Sequence, residues 1–173
     1  MRWILLASVL FATVVWSQSD VAAQNRCADC HFANPVATMS NHVTDWDLSA
    51  HSRAQVGCDG CHGGDASSFE ASVAHRGVVT PANRNSPVNR FNVVRTCGKC
   101  HTGPFVAFQK SRHFAMLEKG DTEVPTCVTC HQEVGARLLS PKSLEGQCAS
   151  CHGPGKVAPR ADRSAMARRM MEG

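Results

Sequence analysis

Cys58-Asp59-Gly60-Cys61-His62 decides how this chain is read, because the same five-residue form occurs five times. The others are Cys27-Ala28-Asp29-Cys30-His31, Cys97-Gly98-Lys99-Cys100-His101, Cys127-Val128-Thr129-Cys130-His131 and Cys148-Ala149-Ser150-Cys151-His152. Together they use all ten cysteines of the 173 residues. Two cysteines three apart lie on one side of a helical turn, and the next histidine projects from the same short segment.

A Cys-x-x-Cys-His run is the attachment signal for c-type haem. The two thiols add across the porphyrin vinyl groups, and the histidine supplies an axial nitrogen to the iron. Five disulfides would account for the cysteines in an oxidising compartment but not for a histidine after every second one. Paired Cys-x-x-Cys elements also make zinc sites, yet zinc ribbons do not require that histidine. The motifs therefore predict five covalently bound haem c groups, with Cys27, Cys30, Cys58, Cys61, Cys97, Cys100, Cys127, Cys130, Cys148 and Cys151 as attachment points. His31, His62, His101, His131 and His152 are the expected proximal ligands.

Nine histidines occur in all, which leaves His42, His51, His75 and His113 as candidate distal ligands. Bis-histidine ligation suits outer-sphere electron transfer at low potential. Four spare histidines complete four haems, so nine cannot fill ten axial positions. The haem on Cys148 and Cys151 is expected to be the exception, because no spare histidine follows His113 and the tail offers Met166, Met170 and Met171 instead.

The first cysteines are spaced by 31, 39, 30 and 21 residues, which suggests two similar two-haem blocks joined by a longer connection. Both blocks carry aromatic-x-x-Ser-x-His: Trp46 to Ser49 and His51 in the first, Phe108 to Ser111 and His113 in the second. Placed on one helix, the aromatic and the histidine would point to neighbouring but different faces. Gly77 to Val94, with Pro81, Pro87 and four asparagines, reads as loop, and Gly153-Pro154-Gly155 stops any helix begun at the last motif. Asp162 to Met171 reads as a short basic helix. With no tyrosine, three tryptophans and seven phenylalanines, something other than side chains must fill the interior. The expected fold is mostly irregular with short α-helices and almost no sheet, a multihaem arrangement in which the haems form the core and relieve the shortage of buried apolar area.

Residues 1–23 read as a secretory signal peptide: Arg2, an apolar run from Trp3 to Trp16, and a small-residue site ending at Ala23. The apolar run is shorter than the roughly 20 residues a bilayer span needs, so no stable membrane span is expected once the signal is removed. Residues 24–173 then form one domain, exported by the Sec route to the periplasm. The formal charge of +4 does not indicate a nucleic-acid partner. Each ferric haem with its two propionates adds about one negative charge, which brings the total for five near −1.

These residues resemble the multihaem c-type cytochromes. The likeness is to the small pentahaem periplasmic electron-donor cytochromes and to halves of the periplasmic decahaem cytochromes. It rests on the five motifs, Val56-Gly57-Cys58, His62-Gly63, His75-Arg76 and Arg90-Phe91-Asn92 before Cys97. The resemblance implies electron transfer between a redox donor and a redox acceptor. The chain departs from it after the fourth motif, where Gln132-Glu133-Val134 stands in place of a histidine three residues on. The context of Cys148 to Gly155 is similar to tetrahaem cytochromes of ammonia oxidisers, a family in which one haem is five-coordinate. That implies an alternative function, reduction of a small nitrogen or oxygen species at an open iron.

Overall fold

The computed structural model describes residues 25–34, 40–132, 134, 140–152 and 155–156. The signal-peptide segment and the basic helix expected over Asp162 to Met171 lie outside the described residues. Among those described there are ten short helices and no strand. No helix among them is long and apolar enough to cross a membrane. The expectation of short helices in a largely irregular chain with no sheet is met.

The first unit contains α1 (Arg26–Ala33), α2 (Ser40–Asp47), α3 (Ala50–Arg53) and α4 (Cys58–His62). After α5 (Ala71–Ala74), a second unit repeats the order with α6 (Val93–Gly98), α7 (Thr102–Gln109), α8 (Arg112–Glu118) and α9 (Cys127–His131). The last helix, α10 (Pro141–Cys151), carries the fifth motif and ends as it reaches His152. The correspondence is close in the middle helices: α2 and α7 are both eight residues long, and α7 and α8 begin 62 residues after α2 and α3. In each unit the helix of the first motif packs on that of the second, α1 on α4 and α6 on α9.

Helices this short are not stable alone, so their ends are fixed by side chains. Asn25 accepts from the Ala28 N–H at 3.3 Å to start α1, and Ser111 accepts from the Phe114 N–H at 3.1 Å to start α8. Ser140 and Ser143 form a reciprocal capping box before α10, with Pro141 in the first turn, where its missing N–H costs nothing. The Thr126 N–H donates to Thr129 Oγ1 at 3.0 Å at the start of α9.

The connection from residue 77 to 92 is irregular, as its prolines and asparagines imply, but it is tied to itself. Asn89 donates to the Pro81 carbonyl at 2.8 Å, Asn92 to those of Arg84 and Ser86 at 2.7 and 2.9 Å, and Thr96 to that of Pro87 at 2.7 Å. The loop ends earlier than expected. Val93 and Val94 form the first turn of α6 and are buried, because they pack with Leu117 and Val124 as the side-chain core of the second unit. Phe91, Phe105, Phe108 and Phe114 surround that core, and Arg95 forks onto both carboxylate oxygens of Glu118 at 2.8 Å. In the first unit only Ala28 and Val43 are buried apolar residues among those described.

Candidate haem sites

Eight of the nine histidines meet in four pairs. Ring centroids of His31 and His75 are 6.0 Å apart, those of His42 and His62 5.9 Å, those of His51 and His101 6.1 Å, and those of His113 and His152 5.9 Å. Each pair joins one motif histidine to one of the four spare ones. An imidazole nitrogen binds a first-row metal at about 2.0–2.1 Å, and the ring centroid lies about 1.1 Å behind it, so two imidazoles on opposite sides of one iron have centroids about 6.3 Å apart. The observed separations fit that requirement. Three pairs are nearly perpendicular, at 85°, 80° and 74°, whereas His113 and His152 are tilted by 41°.

Hydrogen bonds fix which nitrogen faces the partner ring. His75 Nδ1 lies 2.9 Å from the Ala71 carbonyl and His51 Nδ1 3.4 Å from the Val134 carbonyl. A carbonyl oxygen only accepts, so Nδ1 carries the proton in both and Nε2 keeps its lone pair for a metal. Gly64 helps to place His75: its φ is +91°, and a Cβ there would collide with the Ala74 carbonyl one residue before that histidine. Burial and then the neighbouring His152 hold His113 below the ordinary histidine range, which favours the neutral ring that ligation requires.

The shared aromatic-x-x-Ser-x-His pattern has a different geometry from the single helix expected. Trp46 is the last residue but one of α2 and Phe108 the last but one of α7, the helix breaks, and the serine starts the next one. Ser49 accepts from the N–H groups of His51 and Ser52 at 3.1 and 3.3 Å. Ser49 and Ser111 therefore hold the helix turn that presents each histidine at its second position, a role that the sequence reading left unassigned. Trp46 Nε1 donates to the Val56 carbonyl at 2.9 Å and anchors α2 to the approach of the second motif.

None of the ten cysteines is in a disulfide. Their neighbours run in chain order. The Cys58 thiol is pushed up to about 11, first by burial and then by nearby Cys27. Cys61 is raised by burial and, more weakly, by Cys100. The Cys97 and Cys127 thiols hydrogen-bond to each other, which pushes Cys97 up and lowers Cys127 to about 7. Cys130 is raised by burial and then by Cys148. Once sulfurs are thioethers these titrations vanish, but the adjacencies remain: motif one to two, two to three, three to four, four to five. Among the described residues no three or more His, Cys, Asp or Glu side chains converge as a tetrahedral zinc site requires.

One expectation is corrected. The sequence predicts that the fifth motif lacks a histidine opposite it, yet His113 stands against His152. Nearness in sequence was the wrong guide, since the second unit's Ser-x-His reaches forward past the fourth motif.

Residues 82–153 match the pattern of the family described as cytochrome c7 and related cytochrome c, and residues 12–63 that of cytochrome c554 and c-prime. The chain is 27% identical over 118 residues to the C-type polyheme cytochrome OmcC of Geobacter sulfurreducens, covering 64% of this chain and 14% of that protein. It is 29% identical over 133 residues to the C-type polyheme cytochrome OmcB of the same species, covering 72% and 16%. The matched stretch is thus about a sixth or less of the length of those relatives. No solved structure matches the chain. The motifs, the histidine pairs and these likenesses define a protein with covalently held haem c. In these motifs and likenesses the chain is similar to the multihaem c-type cytochromes.

Proposed function

We propose that this chain holds five haem c groups, one on each Cys-x-x-Cys-His motif, and relays electrons along them in sequence order between a redox donor and a redox acceptor in the periplasm. The observation that carries the proposal is the packing of neighbouring motif helices, α1 on α4 and α6 on α9, with His51 of the first unit against His101 of the third motif. His31 with His75, His62 with His42, His101 with His51 and His152 with His113 hold four of the irons, and His131 holds the fourth in sequence. Bound haem c supplies one-electron iron redox chemistry. The polypeptide sets each ring's orientation through Nδ1 hydrogen bonds and serine caps, and bis-histidine ligation keeps four irons closed to exogenous ligands.

Intact mass after acid–acetone extraction should show five retained haems, and any smaller number sinks the stoichiometry. The double substitution Cys97→Ser, Cys100→Ser removes the third attachment, the first of the second unit. It should turn single-phase reoxidation by an added acceptor into two phases. A variant that keeps four haems and still reoxidises in one phase at the original rate would contradict relay in sequence order.

A further inference from the structure

The chain leaves two of its motif helices by nearly the same turn. After His62, Gly63 takes φ +75° and ψ −165°, and after His131, Gln132 takes φ +63° and ψ −177°. Glycine meets that conformation without cost, whereas a residue with a Cβ is strained there. Gln132 is exposed, so burial of its own side chain does not account for the conformation. The effect of the turn is seen two residues further on. The Val134 carbonyl stands 3.4 Å from His51 Nδ1, across 83 positions of sequence, and the same ring faces His101 of the third motif with centroids 6.1 Å apart.

Ser49 holds the backbone N–H of His51 but not its ring, so the rotation of the imidazole is set by the acceptor at Nδ1. A ligating imidazole that donates its second N–H to a carbonyl is fixed in orientation and becomes a stronger donor through the other nitrogen. Resting on the ligand set proposed above, we infer that Gln132 is a positioning residue for the third motif: its left-handed backbone carries the Val134 carbonyl to His51, so the chain leaving the fourth motif sets the orientation and donor strength of the imidazole opposite His101. The exit from one haem site thereby governs ligation at its neighbour. A stronger axial donor favours ferric iron, so this contact holds the potential of the third haem down.

The test uses the full haem-loaded chain. Valine, branched at Cβ, resists positive φ far more than glutamine does, and glycine adopts it freely. Gln132→Val should displace the Val134 carbonyl, raise the midpoint potential of one haem and shift one low-spin electron paramagnetic resonance signal. It should also speed carbon monoxide binding at that haem by about 10–100-fold, the range in which outer-shell partners change metal affinity. Gln132→Gly should leave all three readouts as in the parent. In a His51→Ala background Gln132→Val should add nothing, because the ring that the carbonyl holds is gone. Parent-like behaviour of Gln132→Val with five haems by mass would overturn the inference. So would equal changes in Gln132→Val and Gln132→Gly, which would trace the effect to the glutamine side chain, and so would an undiminished effect in the His51→Ala background, which would place it at the fourth motif's own haem. If Gln132→Val loses a haem, Gln132→Ala carries the same test in the same direction. A His51→Ala protein with every low-spin signal unchanged would instead count against the underlying ligand set.

Discussion

Removing the Ser49 hydroxyl tests whether the cap, and not the histidine alone, holds the sixth position of the third motif. Ser49 is 2% exposed, and its Oγ takes two N–H groups at the start of α3, one of them from His51. Loss of a serine N-cap costs about 1 kcal/mol and up to about 2 where the site is buried, as here. The helix has only four residues and no other cap at that end, so the loss falls on the turn that carries His51. A change of about 1–2 kcal/mol in the attached-to-detached equilibrium of the ring multiplies the detached fraction by roughly 5–30. Carbon monoxide added to the reduced protein reads that fraction, because a closed iron binds only after its histidine leaves. Ser49→Ala should add a carbon monoxide phase roughly 5–30 times faster than detachment in the parent, with an amplitude of one haem, and Ser49→Asp should restore the slow rate. His51→Ala sets the fully open limit. A Ser49→Ala rate within twofold of the parent would show that His51 is held by its pair alone.

Three further outcomes follow from the packing. His75→Ala should turn one low-spin haem of the set into a high-spin one without loss of any haem by mass; unchanged electron paramagnetic resonance would remove His75 from the ligand set. Leu117→Ala, at a side chain 2% exposed in the core of the second unit, should cost about 2–5 kcal/mol and lower the thermal transition. Less than about 1 kcal/mol would place that core outside the stabilising structure. Gly98→Ala puts a methyl 2.6 Å from the Phe105 ring and should cost about 1–3 kcal/mol. Combining it with Phe105→Leu should recover part of the loss, and strict additivity in that cycle would deny the contact.

How much of this was legible depended on whether the cause was local. The motifs were readable because thioether attachment needs two cysteines and a histidine within five residues, and the loop over residues 77–92 because proline and asparagine act through their own backbone. The histidine pairs were not readable singly. His51 and His101 are 50 positions apart, and only the folded chain brings them to 6.1 Å. The shared serine was visible as a pattern, but its physical meaning was missed: a side chain that competes for backbone N–H groups breaks one helix and starts another. Val93 and Val94 were misplaced in the loop for a related reason, since only their burial against Leu117 shows that the helix has begun.

The forward reach of the capped histidines has a consequence for how the molecule holds together. On the ligand set proposed above, the first unit is not finished by its own residues and is tied to the second through His51 and His101, whose rings meet at 6.1 Å. Closing a loop of that length costs chain entropy that rises only slowly with its size, so one firm ligand bond at each junction is enough to hold it. The two units do not depend on that bond equally. The second has Val93, Val94, Leu117 and Val124 buried together and an Arg95–Glu118 ion pair across α6 and α8, whereas among the described residues of the first only Ala28 and Val43 are buried apolar side chains. On the five-haem reading proposed above, what the first unit lacks in side-chain core is provided by the haems of its two motifs and by His42, His51 and His75. On the proposed reading, cofactor attachment is therefore a condition of folding in the first unit and an addition to an existing core in the second.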